Sequence, residues 1–532
     1  MATMFPCPNC GGQLRFSAGT QKLKCQSCGE AVDVDEYTPD DKIKTDIVNT
    51  NIYECPGCGG QIQLIDNDGM EFCPFCGSQA TMQEKFSSQG TPKYIIPFKL
   101  TKAKAKNEYK KATKGIHFAP EGLQKDENID KIVGLYTPYY IYDYSVDDMV
   151  SFRGSTTSAS RDYYTTTYAN FDMSVRADSI KVPFDASQTL DDTMAAQIEP
   201  FPMNELIDFN PNYLAGYFVE NSTVDEDLYL EDSTEKAAGY MSQKVESSTG
   251  GYTIIDGGMK SVERELTDSL RYGGTEGAYL PLYFATTRYK DRVAYSIVNG
   301  ATGKTYIDMP IDKRSMFKMA AVVSLIIFIA LVAASFIFSF SFKVKTLCGF
   351  AALIASIIAL IGAVLADKTY RSDNHLDDKG FFASRDRIIS TGKKEKKLQK
   401  RTKAKKSDSS LTVMIALIMF VMFGGIQILQ YFSAMINAIC YLASIILVIM
   451  ALVKVKKGKK NVMLFGIVGW LLAIAVRICD MPNDIYYYGA LFVVFVVILL
   501  AIHGVVDEYN RFATHPSPQY MKKGGGLERE RD

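Results

Sequence analysis

Histidine is scarce, with four residues among 532 and only His117 within the first 315. A lone histidine beside a Gly115-Ile116 turn is not a general acid–base system. No Gly-x-Ser-x-Gly elbow and no His-Glu-x-x-His helix occurs, which excludes two common hydrolase and metalloprotease constellations. A phosphate-binding loop is missing too. Asn299-Gly300-Ala301-Thr302-Gly303-Lys304-Thr305 imitates one, but the real pattern needs glycine where Val298 stands. Asn299-Gly300 between two alternating runs predicts a hairpin turn instead. Met1 to Pro6 carries neither a basic nor an apolar stretch, so no cleavable leader is expected. Carboxylates abound, Asp147-Asp148 among them, yet no spacing selects a pair. The expectation is a protein that is not an enzyme.

What is present is a duplicated cysteine pattern. Cys7-Pro8-Asn9-Cys10-Gly11 is followed by Cys25-Gln26-Ser27-Cys28-Gly29, and Cys55-Pro56-Gly57-Cys58-Gly59 by Cys73-Pro74-Phe75-Cys76-Gly77. The flanks repeat as well, Gly11-Gly12-Gln13-Leu14 against Gly59-Gly60-Gln61-Ile62. Two thiolates two residues apart grip a metal from one turn, and two such turns complete a tetrahedron with no open position. The glycine after each second cysteine permits the positive φ such a turn requires. Each set of four therefore predicts one structural zinc ion, two in all: Cys7, Cys10, Cys25 and Cys28; Cys55, Cys58, Cys73 and Cys76. A disulfide framework is a weaker alternative, and a redox Cys-x-x-Cys pair weaker still, since no βαβ pattern surrounds either copy. Cys348, Cys440 and Cys479 lie in or beside apolar segments and read as packing residues.

These modules resemble the zinc ribbon of transcription factor IIB and rubredoxin-like knuckles, over about fifteen per cent of the chain. Ribbons of that kind bind nucleic acid in some proteins and protein in others. Charge separates the two. Residues 1–80 hold five Lys and Arg against eleven Asp and Glu, a surface that repels a phosphate backbone. A protein-facing or purely structural role is favoured, and nucleic acid disfavoured.

Zero net charge over the whole chain hides a division. Residues 1–315 have 31 basic and 45 acidic side chains, leaving 28 and 14 for residues 316–532. The first part reads as an acidic soluble body and the second as apolar segments joined by basic loops. Within the body, 84–93 reads as a linker, Tyr94-Ile95-Ile96-Pro97-Phe98 as a strand and Thr101–Lys114 as a basic helix with a solvated or headgroup-facing lysine face. Leu135 to Tyr144 alternates and is aromatic; Ser151–Lys181 predicts an antiparallel meander. Residues 187–212 show little regular pattern. Helices are expected over Asp232–Glu246 and Met259–Tyr272. Tyr136-Thr137-Pro138 and Tyr279-Leu280-Pro281 suggest related halves of one α+β fold with an antiparallel sheet. The ribbon, the Ile-Pro-Phe strand, the Tyr136-to-Asp143 stretch and the Asn299 turn together resemble bacterial zinc-ribbon membrane proteins. Such proteins are loosely labelled primosomal helicase-like, an enzyme whose nucleotide loop this chain lacks.

Six apolar runs follow, each near the about twenty residues a bilayer requires: Phe317–Phe340, Thr346–Ala366, Leu411–Gln430, Ala434–Val453, Val462–Ile478 and Ile485–Val505. The fifth is shortest and the least secure. Fourteen Lys and Arg lie in 367–410 and five in Lys454–Lys460, while the intervening outer loop has none. This alternation, with thiolates that need a reducing compartment, places both termini in the cytoplasm of a plasma-membrane protein. His503 and Arg477 lie near span ends, and no carboxylate lies mid-span, which disfavours ion-coupled transport. The expected organisation is ribbon 1 (1–46), ribbon 2 (47–83), linker (84–93), α+β body (94–315), spans one and two (316–366), basic loop (367–410), spans three to six (411–506) and tail (507–532). The function expected is a lipid-embedded, non-catalytic protein-interaction or regulatory module. The alternatives are a membrane-tethered nucleic-acid binder and a transporter or channel with a cytosolic sensor.

Overall fold

Strand alternation in two aromatic segments builds the centre of the molecule. The computed structural model describes residues 5–38, 52–55, 58, 60–63, 73–77, 83–85, 91–114, 116, 118–120, 131–159, 163–255, 257–289, 291–337, 344–381, 429–454, 460–479 and 484–518. The first ribbon is a three-stranded antiparallel sheet of β1 (Leu14–Ser17), β2 (Lys22–Cys25) and β3 (Ala31–Val32). The second supplies β4 (Ile52–Glu54), β5 (Gln61–Gln63) and β6 (Gln83–Lys85). In the body, β7 (Tyr94–Ile95) and helix α1 (Lys102–Lys114) precede a long hairpin of β8 (Val133–Ala159) and β9 (Tyr164–Asp185). Helix α2 (Asp192–Ile198), β10 (Ile207–Asp208), β11 (Phe218–Glu220), helix α3 (Leu230–Ser247), β12 (Thr253–Ile254) and helix α4 (Met259–Ser269) follow. β13 (Arg271–Tyr289), β14 (Arg292–Asn299) and β15 (Thr305–Ile307) complete the sheet.

The two Tyr-x-Pro segments are direct neighbours. β8 and β13 pair antiparallel with Tyr136 opposite Pro281, Thr137 opposite Leu280 and Pro138 opposite Tyr279, a register symmetric about the Thr137–Leu280 pair. The short strands obey the same symmetry: β11 runs parallel to β8 with Val219 at Tyr136, and β7 parallel to β13 with Ile95 at Tyr279. The relation between halves expected from sequence is therefore a local two-fold, and the sheet is mixed, with these two parallel pairs inside an otherwise antiparallel array. Proline cannot donate to a ladder. Pro281 lies between the β13 residues that pair β7 and those that pair β14, and Pro138 between those of β8 that pair β11 and those that pair β9. Both prolines occupy the gap where the outer neighbour changes. Their carbonyls are used instead: Pro281 accepts from Gly300 N at 2.8 Å and Pro138 from Ala186 N at 2.9 Å.

Alternation along β13 divides the core. Tyr283 and Ala285 turn towards ribbon 1, with its Phe5, Leu14, Phe16 and Leu23. Leu280, Leu282 and Phe284 turn towards ribbon 2, with its four cysteines and Phe75. The duplicated modules thus cover opposite faces of the sheet centre. Ribbon 2 also extends the sheet, because β5 pairs antiparallel with β11. The ribbons, read from sequence as separate modules, are integral to the body. Farther out, β8 and β9 pack on α3 and α4 through Ala237, Ala238, Met241, Val245, Val262 and Leu266.

Several local expectations are corrected. Ser151–Lys181 is one extended hairpin rather than a meander, since β8 and β9 pair continuously from Val146–Ala177 to Ala159–Tyr164. The helix expected to reach Tyr272 ends at Ser269, because Arg271 and Tyr272 join the β8 ladder at Ser145 and Tyr144. Residues 187–212 contain α2, started by Asp191, whose carboxylate accepts from Thr193 N at 2.8 Å. The Asn299 turn is a hairpin as expected, with Val298 opposite Thr305. Helix α1 buries Ala105, Tyr109 and Thr113 and keeps its lysines largely outward.

The apolar part forms helices α5 (Lys313–Ile337), α6 (Val344–Asp373), α7 (Leu429–Lys454), α8 (Asn461–Ile478) and α9 (Asp484–Phe512), closed by strand β16 (His515–Pro516). Among the described residues, three stretches, Leu347–Asp373, Asn461–Ile478 and Ile485–Phe512, are long and apolar enough to cross a membrane. The fifth run, the least secure from sequence, is thus one of the three. The stretch Ala438–Lys454 is apolar but shorter, and 411–428 of the third expected span lies outside the described residues. Helix α6 presents Cys348, Ala352, Ala355, Ala359 and Ala363 as a buried small-residue stripe, and Gly466 of α8 packs against Ala359. Close backbone approach of this kind suits helix association in lipid. Cys348 and Cys440 are buried packing residues, but Cys479 is exposed at the end of α8.

Candidate functional site: two four-thiolate centres

The knuckles fold as their glycines demand. Gly11, Gly29 and Gly77 have φ of 70°, 77° and 65°, where a side chain would be strained. This turn aims backbone amides at sulfur: Gly12 N lies 3.4 Å from Cys10 Sγ and Gly60 N 3.4 Å from Cys58 Sγ, the same contact in both copies. Cys28 N and Ser27 N approach Cys25 Sγ at 3.5 and 3.4 Å. The Cys28 amide, helped by that of Ser27, outweighs desolvation and holds the Cys25 thiol down to about 6. At Cys10 the Gly12 amide lowers the thiol, but the neighbouring sulfurs of Cys28 and Cys25 push it up to about 12. Four thiolates so close repel one another unless a cation sits among them.

Sulfur spacing fits zinc. Across ribbon 1, Cys7 and Cys28 are 3.8 Å apart and Cys10 and Cys25 3.5 Å. Across ribbon 2, Cys55–Cys76 and Cys58–Cys73 are both 3.8 Å. A tetrahedron of Zn–S bonds of about 2.3 Å has edges of about 3.8 Å. All eight sequence-predicted ligands come together in the two expected sets. Closed tetrathiolate zinc supplies a structural cross-link.

The two centres differ in surroundings. Cys10 and Cys28 are exposed, whereas all four cysteines of ribbon 2 are buried. Phe75, inside the second knuckle, is 1% exposed and meets Phe284 edge-on at 6.0 Å, while Thr286 donates its hydroxyl to Pro74 O. Ribbon 1 is tied by Phe16 N to Ala215 O at 2.9 Å and by Asn212, which donates to Val34 O at 2.8 Å and Tyr37 O at 2.9 Å. A cleft of about 440 Å³ beside ribbon 1 is lined by Arg15, Lys24, Lys102, Gly134 and Tyr217.

His117 lies outside the described residues. Asp147 and Asp148 sit exposed on β8, and Asp148 is engaged by Ser269 and Met149 N. Sequence reasoning missed the junction where sheet meets helices. There Asn510 exchanges hydrogen bonds with Ile311 N and O at 2.7 and 2.9 Å, and β16 pairs with β14. His515 Nε2 lies 3.4 Å from Asp308 Oδ2. It also missed Glu220, fully buried on β11 and accepting from Ser187 and Thr189. Burial, only partly relieved by the Ser187 and Thr137 hydroxyls, pushes that carboxyl up to about 8.

No solved structure matches the chain. The uncharacterised protein YdjG of Bacillus subtilis (strain 168) is 29% identical to it over 321 residues, 59% of this chain and 92% of the relative. Residues 50–82, the second ribbon, match the A2L zinc ribbon domain. The chain thus carries two four-cysteine zinc sites, one of them within a segment similar to that domain.

Proposed function

We propose that this is a polytopic membrane protein whose zinc-braced, acidic sheet domain lies on the cytoplasmic side and serves as a non-catalytic interaction or regulatory module. The observation that carries this reading is the junction between sheet and bundle. Asp373 at the end of α6 binds Arg292 of β14 at 2.9 Å and Arg511 of α9 at 2.7 Å. Lys313 at the start of α5 pairs with Asp507 of α9. A displacement of the sheet by a bound partner would be felt directly at three helix ends. The same geometry puts the start of α5 and the ends of α6 and α9 on one side, as an even number of passes with both termini inside requires. Six passes complete that topology. Basic loops on anionic headgroups would reinforce it by about 1 kcal/mol for each Lys or Arg near the surface.

Reconstitution of the full chain in liposomes tests the proposal. Protease added outside should remove the sheet domain only from vesicles with that domain outward, and solute flux should equal that of empty vesicles. Turnover of a nucleotide or small substrate, or solute flux above background, would sink it. A second reading, a tethered nucleic-acid binder, draws on the cleft lined by Arg15, Lys24 and Lys102. It requires retention of DNA or RNA that falls steeply with salt.

A further inference from the structure

A third group of metal-ligating side chains lies where the sheet domain meets the segment after α6. From the sheet side come Asp185 at the end of β9 and Asp191-Asp192 at the start of α2. From the bundle side come His375 and Asp378. One ligand atom each of Asp191, His375 and Asp378 lies within 4.8 Å of the others. His375 Nδ1 is 3.8 Å from Asp378 Oδ2, and the imidazole stacks on Phe381 with ring centroids 4.0 Å apart.

The charge at this spot is unbalanced. Asp185 is 2% exposed and Asp378 3%. Asp192 is held by the Tyr229 hydroxyl at 2.7 Å and Lys379 N at 3.0 Å. Asp191 caps α2 through one oxygen, and Asp378 Oδ1 accepts from Phe381 N at 3.0 Å. Asp185 Oδ2, by contrast, is buried without any hydrogen-bond donor. Burial, and after it the charges of Asp192 and Asp378, lift the Asp185 carboxyl well above the usual range. Among the described residues, Lys379 is committed to Asp232, and the group facing Asp378 is His375, a cation only when protonated. Buried carboxylates are costly to ionise, and a bound cation lowers that cost.

We propose that Asp191, His375 and Asp378 form a third metal site, which binds a divalent cation and clamps the sheet domain to the end of helix α6, with Asp185 adding negative charge beside it. Two carboxylates with one imidazole suit manganese or zinc better than calcium, and differ sharply from the soft thiolates of the ribbons. Because the ligands come from both sides of the junction, ion binding and domain docking are linked.

The test uses the full chain in detergent, freed of loosely held metal by a mild chelator. Manganese is titrated in and followed by the loss of its free-ion paramagnetic resonance signal, with total metal measured by mass spectrometry. One manganese per chain is expected beyond the two zinc ions. His375→Ala and Asp191→Asn should weaken it by at least the about 10–100-fold that loss of even an outer-shell partner costs, with zinc content unchanged. Both residues are partly exposed, and asparagine also caps helices well, so these variants fold even if Asp378→Asn does not. A third zinc retained after chelation and lost in His375→Ala would equally support the site. Absence of saturable manganese or zinc binding beyond two ions at millimolar metal, or identical binding in both variants, overturns it.

Discussion

Arg292 of β14 and Asp373 of α6 form an ion pair at 2.9 Å, with side chains only 18% and 13% exposed, and it joins the sheet to the helices. Asp373 holds Arg511 through its other oxygen. Removing one member of such a pair leaves a charge uncompensated, at a cost on the order of 3 kcal/mol. Asp373→Asn should therefore loosen the junction without unfolding either side. Hydrogen exchange at β14 and β16 should quicken while zinc content stays constant. Unchanged exchange there would mean that the pair does not couple the two parts.

The ribbons should lose zinc in order. Two cysteines of ribbon 1 are exposed, and none of ribbon 2 is. A strong chelator should give two phases of equal amplitude, the faster from ribbon 1, and Cys28→Ser should abolish only the fast phase. A single phase, or loss of the slow one in Cys28→Ser, contradicts the difference in burial. Cys58→Ser should be more damaging, because its site lies in the core beneath Phe284.

Phe75 provides a test of how ribbon 2 supports the sheet. It is the knuckle side chain packed against Phe284, and a buried Phe→Ala change costs about 3–5 kcal/mol. Phe75→Ala should lower the melting temperature of the sheet domain by several degrees with zinc still bound. A melting temperature unmoved beyond error would show that ribbon 2 is peripheral.

Glu220 gives the sheet domain a pH dependence of definite sign. Its carboxyl rises from 4.5 to about 8 in the fold. Between these values the folded state holds a proton that the unfolded chain has released. This contribution to stability is thus complete below about 4.5, declines as pH rises, and is gone above about 8. Glu220→Gln keeps the hydrogen-bonding shape without the charge. The variant should match the parent near pH 5, and melt several degrees higher at pH 8. A constant difference across that range would refute the protonated state.

Much of the metal chemistry was legible in the chain because it is local. A Cys-x-x-Cys-Gly turn fixes its own sulfurs, and glycine at positions 11 and 77 marks the positive φ by residue type alone. The hairpin at Asn299 was legible for the same reason. The helix past Ser269 was misjudged because Arg271 and Tyr272 are claimed by β8, more than 120 residues earlier in the chain. The long β8–β9 hairpin was misread because alternation gives strand character without giving register. Asp185, Asp191, His375 and Asp378 carried no signal at all, since nothing in their spacing brings them together.

The sequence by itself determined the two thiolate sets, the acidic and basic halves, and the apolar helices, because each depends on residues within a turn or two of one another. Only the tertiary structure decided that the twin ribbons grip opposite faces of one sheet. Side chains of a strand alternate between faces, and the face each ribbon covers depends on pairing between distant segments. The same holds for Asp373 beneath Arg292: charge burial is a property of the packed junction, and no local pattern encodes it.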